Sequence, residues 1–250
     1  MLRQRQASGG RRFPVAGRGR NGYPAGVILT AFSRALAQLP DPAFRSVLLR
    51  GLGMTLVLFV VLIVGADYAA DYLRVADQGW LNWLAQIASL GGFVIVLFLL
   101  FPAVASFFIA LFLEDIAEAV ERRWYPAEPP GRSAPLWPSL VLAARFTGVM
   151  LVLNLLALFF LLFPPIFPFV YYILNGYLLS REYFELVSLR HMDAKTVHAA
   201  RKAGGLRLLT AGVGIAVLMT IPLVNLVAPL LATAVMVHLF KGLQRRGVAI

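Results

Sequence analysis

Residues 78–113 are thirty-six consecutive positions without one acidic or basic side chain. No other feature restricts the fold of this chain as strongly. At about 1.5 Å per residue the run would reach roughly 54 Å as a helix. The hydrocarbon layer of a bilayer is only about 30 Å thick and is crossed by roughly 20 apolar residues. The run passes directly into a charged segment, Leu113-Glu-Asp-Ile-Ala-Glu-Ala-Val-Glu-Arg-Arg-Trp124. The expectation is therefore one continuous element over 78–124, crossing a membrane with turns to spare, around which the rest of the chain packs.

Two more uncharged runs set the class. Residues 146–180 give thirty-five positions, interrupted by Pro164, Pro165 and Pro168; residues 208–240 give thirty-three, interrupted by Pro222, Asn225 and Pro229, with only His238 titratable near neutral pH. The chain of 250 residues is 60% hydrophobic and 14% charged, whereas a soluble domain of this size exposes more charge. This is an integral membrane protein with a single compact membrane domain over residues 25–242. Cysteine is absent, which removes disulfides, thiolate chemistry and cysteine metal sites.

The two proline-broken runs fall short of the roughly 40 residues that two full crossings and a turn require. Yet each is bounded by basic residues at both ends, Arg145 and Arg181, then Arg207 and Lys241. A helical hairpin that enters, turns at the prolines and leaves by the same face satisfies both facts, provided the turn is buried in protein or lines a wet cavity. A pair of short tilted spans in a thinned bilayer is the alternative. The fold expected is all-α: two long transmembrane helices, two proline-broken, half-penetrating helical hairpins, and an N-terminal amphipathic helix.

Around this frame, residues 1–24 hold six arginines, many glycines and no acid. They read as a disordered basic tail near anionic lipid headgroups. Residues 17–22 match a G-x-G-x-x-G string, but without the strand and βαβ unit that nucleotide binding needs. Over 25–39, Val27, Ile28, Ala31, Phe32, Ala35, Leu36 and Leu39 recur at helical spacing, as in a helix lying in the interface. Pro40-Asp-Pro42 ends it. The first span is placed at 47–66, the second after Trp80 and Trp83 at the interface. Residues 67–79 carry Asp67, Asp71 and Asp77 against Arg74, and 126–138 form a proline-rich connector. The linker 181–207 contains a short helix capped by Asp193 and ended by Gly204-Gly205. Residues 243–250 form a short basic C-terminal tail. Lysine and arginine gather in the N-terminal arm, in 114–145, in this linker and at the C-terminus, which places both termini in the cytoplasm.

Candidate sites are few. The chain has no hydrolase elbow, P-loop or metalloprotease helix, and nothing in it calls for a cofactor, a metal or a nucleic-acid partner. It reads as a non-enzyme. His191 and His198, with Asp193, are scattered surface histidines rather than a metal site. Glu118, Glu121 and Arg122 admit two readings: weak ion pairs on a solvated helix end, or a polar network at a pore mouth. Arg45 and Arg50, at the start of the first span, admit lipid-phosphate anchoring or binding of a tetrahedral oxyanion near a helix N-terminus.

Four segments in order resemble the CysZ sulfate permease and etoposide-induced protein family. They are Gln38-Leu-Pro-Asp-Pro-Ala-Phe-Arg45, Ile116-Ala-Glu-Ala-Val-Glu121, Arg181-Glu-Tyr-Phe184 and Ile221-Pro-Leu-Val-Asn-Leu-Val-Ala-Pro229. The resemblance implies two long spans and two half-penetrating hairpins, homo-oligomeric assembly in the bacterial inner membrane, and sulfate uptake for cysteine synthesis without ATP hydrolysis in the chain. The family's sulfate motif of glycine, aliphatic and two arginines falls on Ala43, Phe44, Arg45 and Ser46, so one arginine of the motif is retained. The expected function is an inner-membrane permease or channel for sulfate or a related oxyanion. The rival is a non-transporting, membrane-organising member of the same family that binds anionic lipids.

Overall fold

The computed structural model describes residues 26–72, 79–133, 152, 153, 155, 159, 160 and 162–245. The basic tail over 1–24, Arg74 and Asp77, the end of the connector, most of the first arm of the first hairpin and the last five residues lie outside the described residues. So do the side chains of Asp67, Asp71, Trp80 and Trp83.

All regular structure among the described residues is helical. The helices are α1 (Gly26–Gln38), α2 (Pro42–Tyr72), α3 (Gly79–Ala110), α4 (Leu113–Trp124), α5 (Phe167–Ser188), α6 (Ala194–Met219), α7 (Pro222–Asn225) and α8 (Ala228–Gln244). Together with the uncharged runs they make an all-α membrane protein. Asp41 starts α2 at the proline pair: its carboxylate accepts from the Ala43 amide at 3.0 Å and its carbonyl from the Arg45 amide at 3.1 Å. Pro42, as first helical residue, loses no ladder bond by lacking an N–H. The first span therefore begins before 47.

The long element expected over 78–124 is broken. Residues 111–112 form a turn, and α4 leaves the preceding helix at 57°. The cause lies in the pattern of α4. Leu113, Ile116, Ala117, Val120 and Glu121 are its buried stripe, at the i, i+3, i+4, i+7, i+8 positions of one helix face. The bend lays that stripe on the last helix, α8, and Glu114 and Asp115 at the new N-terminus with Arg122 and Arg123 at the C-terminus suit its dipole.

Nor is the 78–124 element the hub. That place belongs to α8, which packs against α1, α3, α4, α5, α6 and α7. Nearly every one of its side chains is buried, from Ala228 to Leu243. The apolar stripe of α1 lies on α8 through Ala31 and Ala35 rather than facing lipid, while Leu29 and Leu36 stay exposed. By contrast α2 and the outer part of α3 pair with each other and expose Leu56, Val57, Val60, Phe98 and Leu99, as a lipid-facing surface does.

The linker 181–207 is not a separate segment. Its first residues continue α5, and α6 begins behind Asp193, whose carboxylate accepts from the Thr196 amide at 3.2 Å. Hydrogen bonding to Thr196 holds that carboxyl below the usual aspartate range. At Gly205 the backbone is non-helical, φ 2° and ψ −94°, so α6 is two helices joined at a kink. Its length and composition suffice for a membrane span, but the kink leaves Lys195, Arg201 and Lys202 before it and, after it, an arm without charge beyond Arg207. That arm, 206–219, is about 21 Å long, and α8 about 26 Å, both below the roughly 30 Å of hydrocarbon. Pro222 and Pro229 stand at the starts of α7 and α8, where proline belongs. The second hairpin is thus a pair of short arms joined by α7.

The apolar part of α5 crosses α6 where glycine faces glycine. A Cβ on Gly212 would collide with the Gly176 carbonyl oxygen, and one on Gly176 would stand 2.7 Å from the Val213 backbone nitrogen. Neither obstacle is a movable side-chain tip, so the backbones must part. Gly212→Ala and Gly176→Ala are expected to destabilise by about 1–3 kcal/mol or more, read as a lowered midpoint of thermal unfolding in detergent. Gly53→Ala, whose Cβ meets nothing within 4 Å, is the control and leaves the midpoint unchanged or raised. A Gly212→Ala midpoint equal to that of the control contradicts the close crossing.

Candidate functional site

The five candidate side chains occupy two kinds of surroundings. Arg45 lies in the first turn of α2 and is exposed. Arg50, further along the same helix, is turned towards the start of α4: its Nη1 is 3.3 Å from Asp115 Oδ2 and its guanidinium lies over the Phe112 ring at 5.8 Å. Both partners of that ion pair are about half exposed, so it contributes only about 0–1 kcal/mol. Arg45 and Arg50 share a helix but do not converge on one pocket among the described contacts.

Glu118 and Arg122 pair with each other at 3.1 Å, one turn apart, with both side chains exposed. Glu121 does not join them. Its place on the buried stripe of α4 turns it inward, where its side chain is 5% exposed. There Oε1 meets His191 Nε2 at 2.8 Å, while Oε2 accepts from the Gly131 amide at 3.1 Å and lies 3.4 Å from Arg190 Nη2. Arg190 also reaches the Glu114 carbonyl, and its own carbonyl accepts from the Arg132 amide at 2.8 Å. The His191 ring stacks on Phe240 of α8 at 5.1 Å. Glu121 is a buried anion with three partners from the connector and the α5–α6 turn, so it joins α4 to both.

A second charged set lies at the end of α8, where Lys241 is buried and Arg245 exposed. Lys241 Nζ is 3.1 Å from Glu128 Oε2 and Arg245 Nε is 3.0 Å from Glu128 Oε1, while Tyr125 and His238 share a hydrogen bond at 2.8 Å. A third joins Arg181 to Glu185 at 3.1 Å on α5, with Arg201 of α6 at 3.7 Å from the same carboxylate. His198 Nδ1 lies 3.2 Å from Arg201, away from His191, so the structure does not bring the two histidines together. Asp41 serves twice: one oxygen caps α2 and the other receives Arg123 of α4 at 3.3 Å. Beside it, Gln38 accepts from the Trp124 indole at 2.9 Å.

Sequence reasoning passed over Arg190, Glu128 and Asp41, because their partners are 69, 113 and 82 residues away. Glu121 carried a usable signal: it is the one acid on the apolar stripe of α4.

A bent, all-helical chain with apolar helices long enough to cross a bilayer and short proline-started arms defines a class, that of helical integral membrane proteins. Residues 31–229 match the family model described as Sulfate transporter CysZ/Etoposide-induced protein 2.4, and the chain belongs to that family. No curated protein matches the chain.

Removing one partner of a buried ion pair leaves an uncompensated charge and costs about 3–5 kcal/mol, against about 0–1 for an exposed pair. Glu121→Ala is therefore expected to lower the unfolding midpoint sharply, with Glu118→Ala close to wild type. The reverse ranking in a denaturant titration would remove Glu121 from the fold's support.

Proposed function

We propose that this protein is a membrane permease or channel for sulfate or a related oxyanion, with uptake serving cysteine synthesis. The observation that carries the reading is the family match over residues 31–229. In this proposal the chain sits in the inner membrane of a bacterium with both termini in the cytoplasm, and acts as a homo-oligomer. The supporting charge pattern is the concentration of lysine and arginine on one set of connections.

The two arginines differ in what they can offer an anion. Arg50 is engaged with Asp115, and the first amides of α2 are partly occupied by the Asp41 carboxylate. An incoming oxyanion is therefore met by the Arg45 guanidinium, whose fork matches two oxygens of a tetrahedral anion. Glu118 and Arg122 stand on the exposed side of α4 as charges that an ion would pass, and Glu121 acts from behind by holding α4 in place.

The test is uptake of labelled sulfate into proteoliposomes, compared with empty liposomes. Wild-type protein should raise the flux, and Arg45→Ala should lower it by about tenfold or more, the equivalent of one charge-assisted hydrogen bond. Arg50→Ala should change it less. A thermal-shift series with sulfate, sulfite, molybdate and phosphate identifies the preferred anion, since a ligand present at 100 times its Kd stabilises by about 2.7 kcal/mol. Flux no greater than that of empty liposomes, or unchanged by Arg45→Ala, sinks the proposed site.

A further inference from the structure

The kink at Gly205 opens a cavity of about 490 Å³ between α1, the middle of α6 and the end of α8. Its size falls within the range of about 300–1,000 Å³ typical of small-ligand sites. The walls are apolar: Val27 and Ile28 from α1, Leu206 and Leu208 from α6, Leu239 and Leu243 from α8. Lys202 and Arg207 bring two cations to it on either side of the kink, and none of its lining residues is acidic. The space is left by glycine. A Cβ on Gly205 or on Gly242 of α8 would meet nothing within 4 Å, although both residues line the cavity.

The cavity also adjoins exposed apolar surface. Leu206, one of its walls, is 74% exposed, and Leu29 of α1 beside Ile28 is 67% exposed. A free inorganic oxyanion would gain from the two cations but nothing from such walls. An anionic amphiphile gains from both, with its charge at Lys202 and Arg207 and its hydrocarbon against the leucines.

We infer that this cavity is a binding site for an anionic glycerophospholipid of the surrounding membrane, its headgroup phosphate held by Lys202 and Arg207. The site is separate from Arg45 and does not depend on transport. By filling the wedge between α1, α6 and α8, the lipid fastens the amphipathic helix to the kinked hairpin.

The experiment uses the full chain in a neutral detergent, with phosphatidylglycerol, phosphatidylcholine or inorganic phosphate added. Thermal midpoints are recorded, and retained lipid is counted by native mass spectrometry. Phosphatidylglycerol should raise the midpoint and remain as a discrete adduct, phosphatidylcholine should bind at least about tenfold more weakly, and inorganic phosphate should do neither. Gly242→Leu fills the cavity from a regular stretch of α8 and should abolish the adduct and the shift while the lipid-free midpoint stays near wild type. Lys202→Gln with Arg207→Gln keeps the walls and should erase the preference for phosphatidylglycerol, which keeps the inference testable if Gly242→Leu does not fold. Equal retention of both lipids by wild-type protein, a shift produced by phosphate alone, or an undiminished adduct in both variants overturns it. The basic residues over 1–24 themselves favour an anionic lipid, so the cavity's share is read from the difference between wild type and the variants, all of which carry them.

Discussion

The burial of α8 is the constraint on which the rest of this structure depends. A helix buried on all sides must find a neighbour for every face, and α8 finds six helices to supply them. Its length sets the depth of the hairpin, because α6 must turn at 220–221 for α7 and α8 to return beneath it. Its apolar residues draw α4 out of line with α3, and the stripe of α1 onto the protein instead of the lipid. The bend between α3 and α4 needs no proline at its vertex; burial of the α4 stripe against α8 supplies the reason for it.

Lys241 of α8, Arg190 and Arg181 are cations carried inward by the packing, and the fold answers each with a carboxylate. Glu128 meets Lys241 and Arg245, Glu121 meets Arg190 and His191, and Glu185 meets Arg181 and Arg201. Isolated buried charges would be costly, and pairing with hydrogen bonds is what makes their burial tolerable. Lys241 and Arg181, which mark the ends of uncharged runs in the sequence, are thus internal pairs as well as boundary signals. Arg122, exposed beside Glu118, is the kind of residue that remains outside.

Much of this was legible from sequence because the signals are local. The uncharged runs gave the membrane class, Pro40-Asp-Pro42 the end of α1, Asp193 the cap of α6, and Gly204-Gly205 the break in α6. The prolines at 222 and 229 gave the turn of the second hairpin. What escaped is pairwise and distant. Nothing in residues 78–124 announces a bend at 111–112, since the partner that requires it lies more than a hundred residues away in α8. The inward turn of Glu121 was readable from its place on the α4 stripe, but its partners Arg190 and His191 were not. The same limit applies to the cavity at Gly205: the kink can be read from paired glycines, whereas the wall contributed by Val27 and Ile28 comes from the other end of the chain.

The division between exposed and buried charge bears on where an anion pathway could run. A carboxylate already holding an arginine, a histidine and a backbone amide has no capacity left to sense a passing ion, and moving it would release α4 from the connector. Glu121 therefore serves the fold, joining α4 to the connector and to the α5–α6 turn. Arg45 is the opposite case, a cation in the first turn of a span with its side chain at the surface, free of the structural duty that Glu121 carries. Asp41, four residues before it, caps the helix and receives Arg123, so the carboxylate nearest to Arg45 in sequence is already committed to α4. That commitment limits how far Asp41 can neutralise the arginine.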